Sequence, residues 1–270
     1  MIEVKGLRKS YAGREVLTGI ELSVNAGEFL VVLGPSGAGK STLLRCINGL
    51  VHAEAGSVVI DGRTVNVRDM GRREGVRPIG MIFQQHNLVR RLSVLKNVLV
   101  GRMADTSSVL ALLQLFRKAD VELALDCLRQ VELEHKAAIR ADRLSGGEQQ
   151  RVGIARALAQ KPAVILADEP VASLDPKTSR VVLGYLKRIC KDLGIAVICN
   201  LHQVEYAVEF GERIVGLSAG SITFDDRPEN LTIDIIHRIY PGLEDPGLGR
   251  MLRRDRDRPW SEEVRLAASA

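Results

Sequence analysis

The sequence predicts an α/β fold built on a largely parallel sheet, and three observations carry that expectation. Apolar runs of strand length recur along the chain and alternate with helical patterns. A glycine-rich loop, residues 34–41, stands between one such run and a helical segment. From residue 93 to about 159 the hydrophobic period changes from that of strands to that of helices, so two β-rich stretches flank a helical middle.

In chain order, residues 2–4, 16–24 and 28–33 alternate or run apolar, as strands do. Residues 56–60 and 79–83 follow, separated by a polar, Arg-rich loop. In the middle, Val121, Leu125, Leu128 and Val131 recur at spacings of three and four and form one apolar stripe; Val109, Leu112, Leu113 and Phe116 do the same. Strands return at 163–167 and 195–199, with a helix between them starting after Pro176. Two short strands, 213–217 and 221–224, end the core. The succession of strand, helix and strand implies right-handed crossovers. After about residue 244 the character changes. Arg254 to Arg258 alternates Arg with Asp, which reads as a solvated tail, helical or frayed.

The 270 residues suffice for one large domain or two small ones with a sizeable core. Hydrophobic residues at 46% and charged residues at 26% exclude disorder for the bulk of the chain. No apolar run approaches the roughly 20 residues of a membrane-spanning helix. Glu3 and Lys5 interrupt the start, which lacks a signal-peptide core. The expectation is a soluble, non-secreted chain, with other chains supplying any membrane part. Cys46, Cys127, Cys190 and Cys199 form no C-x-x-C pair and read as reduced, buried hydrophobes of a cytosolic protein. A net charge of +5 permits binding to phosphates, nucleic acid or anionic lipid. Aromatics at 4% are a poor supply for base stacking.

Gly34-Pro35-Ser36-Gly37-Ala38-Gly39-Lys40-Ser41 fits G-x-x-x-x-G-K-S, follows a strand and opens a helix. Its backbone N–H groups and the helix N-terminus suit phosphates. Lys40 is placed to reach β- and γ-phosphates, and Ser41 to ligate Mg²⁺. Far downstream, an apolar strand ends in Asp168 and Glu169. Adjacent carboxylates at the end of a buried strand need partners. Asp168 fits a Mg²⁺-side carboxylate and Glu169 a group that orients or deprotonates water; the plain alternative is a helix N-cap. Leu144-Ser145-Gly146-Gly147-Glu148 opens a helix and forms a second anion site, or a capped turn in which Ser145 and Glu148 make a capping box, or both. Two phosphate-binding helix starts and one phosphate loop suggest that the second site serves a nucleotide held by another copy of the chain.

With these residues in hand, the chain resembles an ABC-type ATPase subunit over essentially all of residues 1–243. The match comprises the phosphate loop, LSGGE in place of the usual LSGGQ, ILADE, Ser173-Leu174-Asp175, Gln84 at a strand end and His202 ending a late strand, all in the family's order. The resemblance implies a P-loop NTPase (RecA-like) core, an N-terminal antiparallel β subdomain and an inserted helical signature subdomain at about 85–160. It assigns Tyr11 to stacking on adenine, where alone it reads as an ordinary half-buried strand tyrosine. It assigns Gly34 to Thr42 to ATP, and Gln84 to Mg²⁺ or the attacking water, where alone it reads as a surface amide. It gives His202 the γ-phosphate, where alone it reads as a core histidine. Asp175 is expected to bridge two protomers. Ser145, Gly146 and Gly147 are expected to clamp the γ-phosphate of the opposite one. Glu148 departs from the pattern by adding negative charge near a phosphate.

The finer wording, ADEPVASLDP at 167–176, Asn200-Leu201-His202-Gln203 and Gly101-Arg102-Met103, resembles phosphonate-import ATPases. That implies a subunit powering uptake of phosphonate or a related phosphorus oxyanion. The cofactors it implies are ATP and Mg²⁺, and the place it implies is peripheral, on the cytoplasmic face of the inner membrane. The partners it implies are a second copy of the chain, an integral membrane permease and, indirectly, an extracytoplasmic solute-binding protein. The rivals are an importer ATPase for another small solute and a non-transport ABC ATPase acting on ribosomes or DNA. The second usually carries two cassettes or long coiled coils, absent here. A small-molecule kinase has no use for the LSGGE turn. The basic segment 63–91 reads as a solvated face or a surface near anionic lipid, so no nucleic-acid partner is expected.

Overall fold

The structure, a computed structural model, describes residues 1–66, 79–105 and 116–242. Strand β1 (Ile2–Tyr11) and strand β2 (Arg14–Val24) form a hairpin closed by Ala12 and Gly13, both at positive φ, as a two-residue turn matching strand twist requires. Both strands exceed the apolar pattern. β1 continues past Val4 through register shifts, and β2 begins two residues before Val16. Arg14 and Glu15 are held by the backbone ladder at the hairpin end, where burial has no say, so polarity hid them. Strands β4 (Ala55–Ile60) and β5 (Arg63–Asn66) complete an antiparallel sheet of order β2-β1-β4-β5.

The second sheet has the order β10-β9-β3-β8-β7-β6. Its members are β3 (Phe29–Leu33), β6 (Ile79–Ile82), β7 (Val164–Asp168), β8 (Ala196–Asn200), β9 (Arg213–Ser218) and β10 (Ser221–Asp226). All pairings are parallel except β9 with β10. Every residue of β3, β7 and β8 is buried, as strands covered on both faces must be. Alternation sorts them between two cores. Phe29, Val31 and Leu33 pack with the helical side, while Leu30 and Val32 pack with Ile2, Val4 and Leu7 of the antiparallel sheet. β7 and β8 each run one residue beyond the apolar pattern, to Asp168 and Asn200, because the ladder continues into the polar end.

Among the described residues the α-helices are α1 (Lys40–Asn48), α2 (Val94–Leu99), α3 (Lys118–Gln130), α4 (Gly146–Ala159), α5 (Pro176–Leu193), α6 (Val204–Phe210) and α7 (Ile233–Ile239). Among the described residues the helical middle holds α2, α3 and α4. The buried stripe of α3 is Ala124, Cys127 and Leu128, continued by Val131; Val121 and Leu125 flank it. Ala and Cys take the central places because small side chains let α3 approach α2 and α4 closely, a preference that apolar spacing alone does not reveal. Of the second stripe, Phe116 packs against the core, and Val109, Leu112 and Leu113 lie outside the described residues. Most of the Arg-rich loop between β5 and β6, and residues 244–270, also lie outside them. Among the described residues no helix is long and apolar enough to cross a membrane.

Candidate nucleotide site

The carboxyl ends of β3, β7 and β8 meet at one edge of the parallel sheet, the place where open α/β sheets bind ligands. The loop after β3 presses against β9. A Cβ on Gly34 would stand 2.2 Å from the Leu217 carbonyl oxygen, so the position admits only glycine. The loop then turns at Pro35 to Ala38, whose N–H donates to the Pro35 carbonyl at 3.2 Å, leaving Ser36 and Gly37 exposed. Gly39 precedes α1, and Lys40 is its first residue.

Lys40 is only 4% exposed. Its Nζ donates to the carbonyls of Gly34 at 2.6 Å and Pro35 at 3.0 Å, so the ammonium is held inside the curve of the loop. Desolvation pulls its pKa below the ordinary lysine value, against the opposing pull of Glu169 and Asp168. Beside it, Ser41 Oγ donates to Asp168 Oδ1 at 2.7 Å, and Arg45 lies 3.6 Å from Asp168 Oδ2. Tyr11, Ser36, Gly37, Gly39, Lys40, Ser41, Thr42 and Glu169 line one open cavity of about 580 Å³. Tyr11 stands at its mouth, 47% exposed, with Lys9 Nζ 4.9 Å from the ring centre. An exposed ring at the mouth of the cavity that the phosphate loop lines offers a face for a base to stack on.

Glu169 follows β7 in a left-handed conformation with φ 51°, which is costly for a residue bearing a Cβ. The turn aims its carboxylate at His202, whose Nε2 donates to Glu169 Oε1 at 2.5 Å. The N-cap alternative for this acidic pair is excluded. The next helix, α5, begins at Pro176, and its cap is Asp175, which accepts from the Lys177 and Thr178 N–H groups at 3.1 Å each.

Ser145 caps α4, and the capping box is present. The Glu148 N–H reaches Ser145 Oγ at 3.4 Å, and Glu148 Oε2 accepts from the Ser145 N–H at 2.9 Å and hydroxyl at 3.0 Å. Lys136 pairs with the other carboxylate oxygen. Partial burial pushes the Glu148 carboxyl up, but the bonds from Lys136 and Ser145 outweigh it and hold the group down at about 2. The unusual acid of this turn is thus turned back along the helix start and neutralised by a neighbour. Gly147 abuts the start of α5; a Cβ there would lie 2.3 Å from Thr178 Cγ2.

The structure therefore gathers the phosphate loop, Tyr11, Asp168, Glu169 and His202 into one site. It leaves Ser145, Gly146, Gly147 and Asp175 outside the Lys40 cavity, together at the adjoining starts of α4 and α5. Gln84 is exposed and faces a second, polar cavity of about 390 Å³ with Gln85, Asn87, Gln149 and Ser173. Sequence reasoning gave no role to Asn200, which binds Asp168, to Lys136, which holds Glu148, or to Tyr240, which reaches the phosphate loop. A polar residue ending a buried strand was the available signal for Asn200; Tyr240 had none, being 206 residues from its partner Gly34.

A phosphate loop, a paired acid and histidine, and a second glycine-led helix start, set on this sheet, define a P-loop ATPase. The family model described as ABC transporter matches residues 17–172, and the chain belongs to that family as an ATP-hydrolysing subunit. It is 51% identical over 248 residues to the phosphonates import ATP-binding protein PhnC of Thiobacillus denitrificans, covering 90% of this chain and 95% of that protein. It is 48% identical over 242 residues to phosphonates import ATP-binding protein PhnC 2 of Halalkalibacterium halodurans, covering 89% and 99%. Among solved structures it is similar to the dimeric post-hydrolysis state of the ATP-binding cassette MJ0796 bound to ADP and Pi. There the TM-score is 0.71 at 34% identity, over 86% of this chain and all of that one.

Proposed function

We propose that this chain powers the import of phosphonate, or of a related phosphorus oxyanion, through a separate membrane permease. The observation that carries the reading is the near-full-length identity of about half to relatives named as phosphonate importers. The proposed setting is the cytoplasmic face of the membrane, with a solute-binding protein delivering cargo from the other side.

In the proposed cycle, two copies meet head to tail. Each ATP lies between residues 34–42 of one copy and Ser145, Gly146 and Gly147 of the other, with Tyr11 stacked on adenine and Asp175 at the seam. The similarity to a dimeric cassette supports this arrangement. ATP that touches both copies binds the closed dimer better than the open one, and that difference shifts the equilibrium toward closure. Lys40, held by the Gly34 and Pro35 carbonyls, turns its charge to the β- and γ-phosphates. Glu169 takes a proton from water as the water oxygen bonds to the γ-phosphorus. The bond to the β–γ bridging oxygen breaks and ADP leaves with that oxygen. His202 moves its hydrogen bond from Glu169 to the γ-phosphate. Loss of the γ-phosphate contacts reopens the dimer, and the helical segment 85–160 passes the motion to the permease.

The residues fit Mg²⁺. Ser41 and Asp168 offer a hydroxyl and a carboxylate within 2.7 Å of each other, an all-oxygen set suited to a hard cation that keeps several waters. Buried Asn200 Oδ1, beside them, has no hydrogen-bond partner among the described residues. Ser41 and Asp168 would hold the ion, which when bound offsets charge on the phosphate oxygens, whereas Gln84, expected to join them, faces the second cavity.

The test is reconstitution in liposomes with its cognate permease and binding protein. Phosphonate on the binding-protein side should raise ATPase turnover, whereas amino acids should not. Stimulation by an unrelated solute and not by phosphonate would reject the phosphonate assignment while leaving the importer reading intact.

A further inference from the structure

Helix α7 closes over the edge of the parallel sheet, held by the fully buried Ile236 and Ile239. The seat is cut for it. Gly216 of β9 has no side chain, and a Cβ there would stand 2.4 Å from Ile239 Cδ1. Docking of Ile239 delivers the next residue, Tyr240, beneath the nucleotide site. Its ring packs against the core, and its hydroxyl lies between two peptides of that site. Tyr240 Oη accepts from the Gly34 N–H at 3.1 Å and donates to the His202 carbonyl at 3.3 Å.

Each of these peptides bears on a reacting group. The Gly34 carbonyl, on the same residue, accepts from Lys40 Nζ at 2.6 Å. His202 carries the imidazole bonded to Glu169, and its loop is otherwise tied to the sheet one residue earlier, where the Leu201 N–H donates to the Val32 carbonyl at 3.1 Å. One hydroxyl thus spans the start of the phosphate loop and the loop of the histidine. Burial pushes the phenol up to about 12, against the Gly34 N–H, which lowers it, so it keeps its proton and can donate at any physiological pH.

We propose that Tyr240 is a positioning residue for hydrolysis, its hydroxyl fixing the His202 loop against the phosphate loop at Gly34. The proposal rests on the reading that His202 serves the γ-phosphate. On that reading the hydroxyl matters when the γ-phosphate is present and not for holding ADP, whose phosphates lie in the loop. A contact that only stabilised the fold would show no such discrimination.

The test uses the full-length chain carrying Tyr240→Phe, which keeps the ring and removes only the hydroxyl. We expect kcat to fall about fivefold to tenfold, with KM for ATP and affinity for ADP within about twofold of the unaltered chain. In a His202→Ala background, followed by single turnover, Tyr240→Phe should add less than about a twofold loss, because its effect runs through His202. Three results would overturn the proposal: an unchanged kcat in Tyr240→Phe, a parallel loss of ADP affinity, or the same loss with and without His202. If His202→Ala alone turned over at the original rate, the γ-phosphate reading of His202 would fall first and take the proposal with it. A wild-type rate in Tyr240→Phe beside an impaired His202→Ala would sink the proposal alone.

Discussion

Asp168 and Asn200 face each other across the ends of neighbouring parallel strands, in register, and Asn200 Nδ2 donates to Asp168 Oδ1 at 2.9 Å. That oxygen also accepts from Ser41, so one carboxylate oxygen joins α1, β7 and β8. Asn200 is fully buried with its own Oδ1 unpartnered among the described residues, an arrangement that costs about 1–3 kcal/mol in a structural site. We predict that Asn200→Val leaves thermal stability unchanged or higher but raises the Mg²⁺ concentration for half-maximal ATPase by about fivefold or more, since Asp168 loses its orienting amide. A Mg²⁺ titration of ATPase, paired with ADP binding without Mg²⁺, checks this. An unaltered Mg²⁺ dependence would count against it.

Glu169→Gln keeps the size and shape of the side chain and loses its basicity. The variant should bind ATP, hydrolyse it at least about a hundredfold more slowly and accumulate as a dimer with ATP·Mg²⁺. Size-exclusion chromatography with and without nucleotide reads the shift. Normal turnover would move the water-activating role away from Glu169.

Glu148→Gln separates stability from activity. The folded carboxyl is held at about 2 against an ordinary 4.5. A depressed carboxyl pKa contributes stability above its unfolded value, and that contribution fades as pH falls through the folded one. The Gln variant, which leaves Lys136 without its anion, should therefore be the less stable chain at pH 7 by roughly 1 kcal/mol, and the gap should close between pH 4.5 and about 2. Its ATPase should match or exceed the original, because a neutral amide replaces an acid near a triphosphate. Thermal melts across pH and one rate measurement decide it. A loss of activity beyond about tenfold would give Glu148 a specific role.

Deleting residues 250–270 should leave ATP binding and dimerisation intact, since every site residue, Tyr240 included, precedes them. The segment carries five arginines between residues 250 and 258 and could contact the permease or an anionic surface. Comparing both chains as free ATPases and in liposomes with the permease separates these cases. A defect confined to the liposomes would make the tail a coupling element, and a defect in the free enzyme would place the end of the catalytic unit beyond residue 250.

The sequence by itself determined the parts whose chemistry is local. A Gly-rich loop between strand and helix, an apolar strand ending in Asp168 and Glu169, and a Ser-Gly-Gly helix start announce themselves, because backbone conformation, capping and strand burial depend on residues a few places apart. The parallel sheet was legible for the same reason, since strands buried on both faces read as unbroken apolar runs. The hairpin end at Arg14 and Glu15 was not, because there ladder hydrogen bonds outweigh side-chain polarity. Only the tertiary structure decided that Asn200 holds Asp168, that Lys136 neutralises Glu148 and that Tyr240 joins Gly34 to His202. These bonds cross 32, 12, 206 and 38 residues. No periodicity or spacing encodes such partners. They meet because β7 and β8 are neighbours in register, α4 starts beside Lys136, and Ile239 fits the space that Gly216 leaves open.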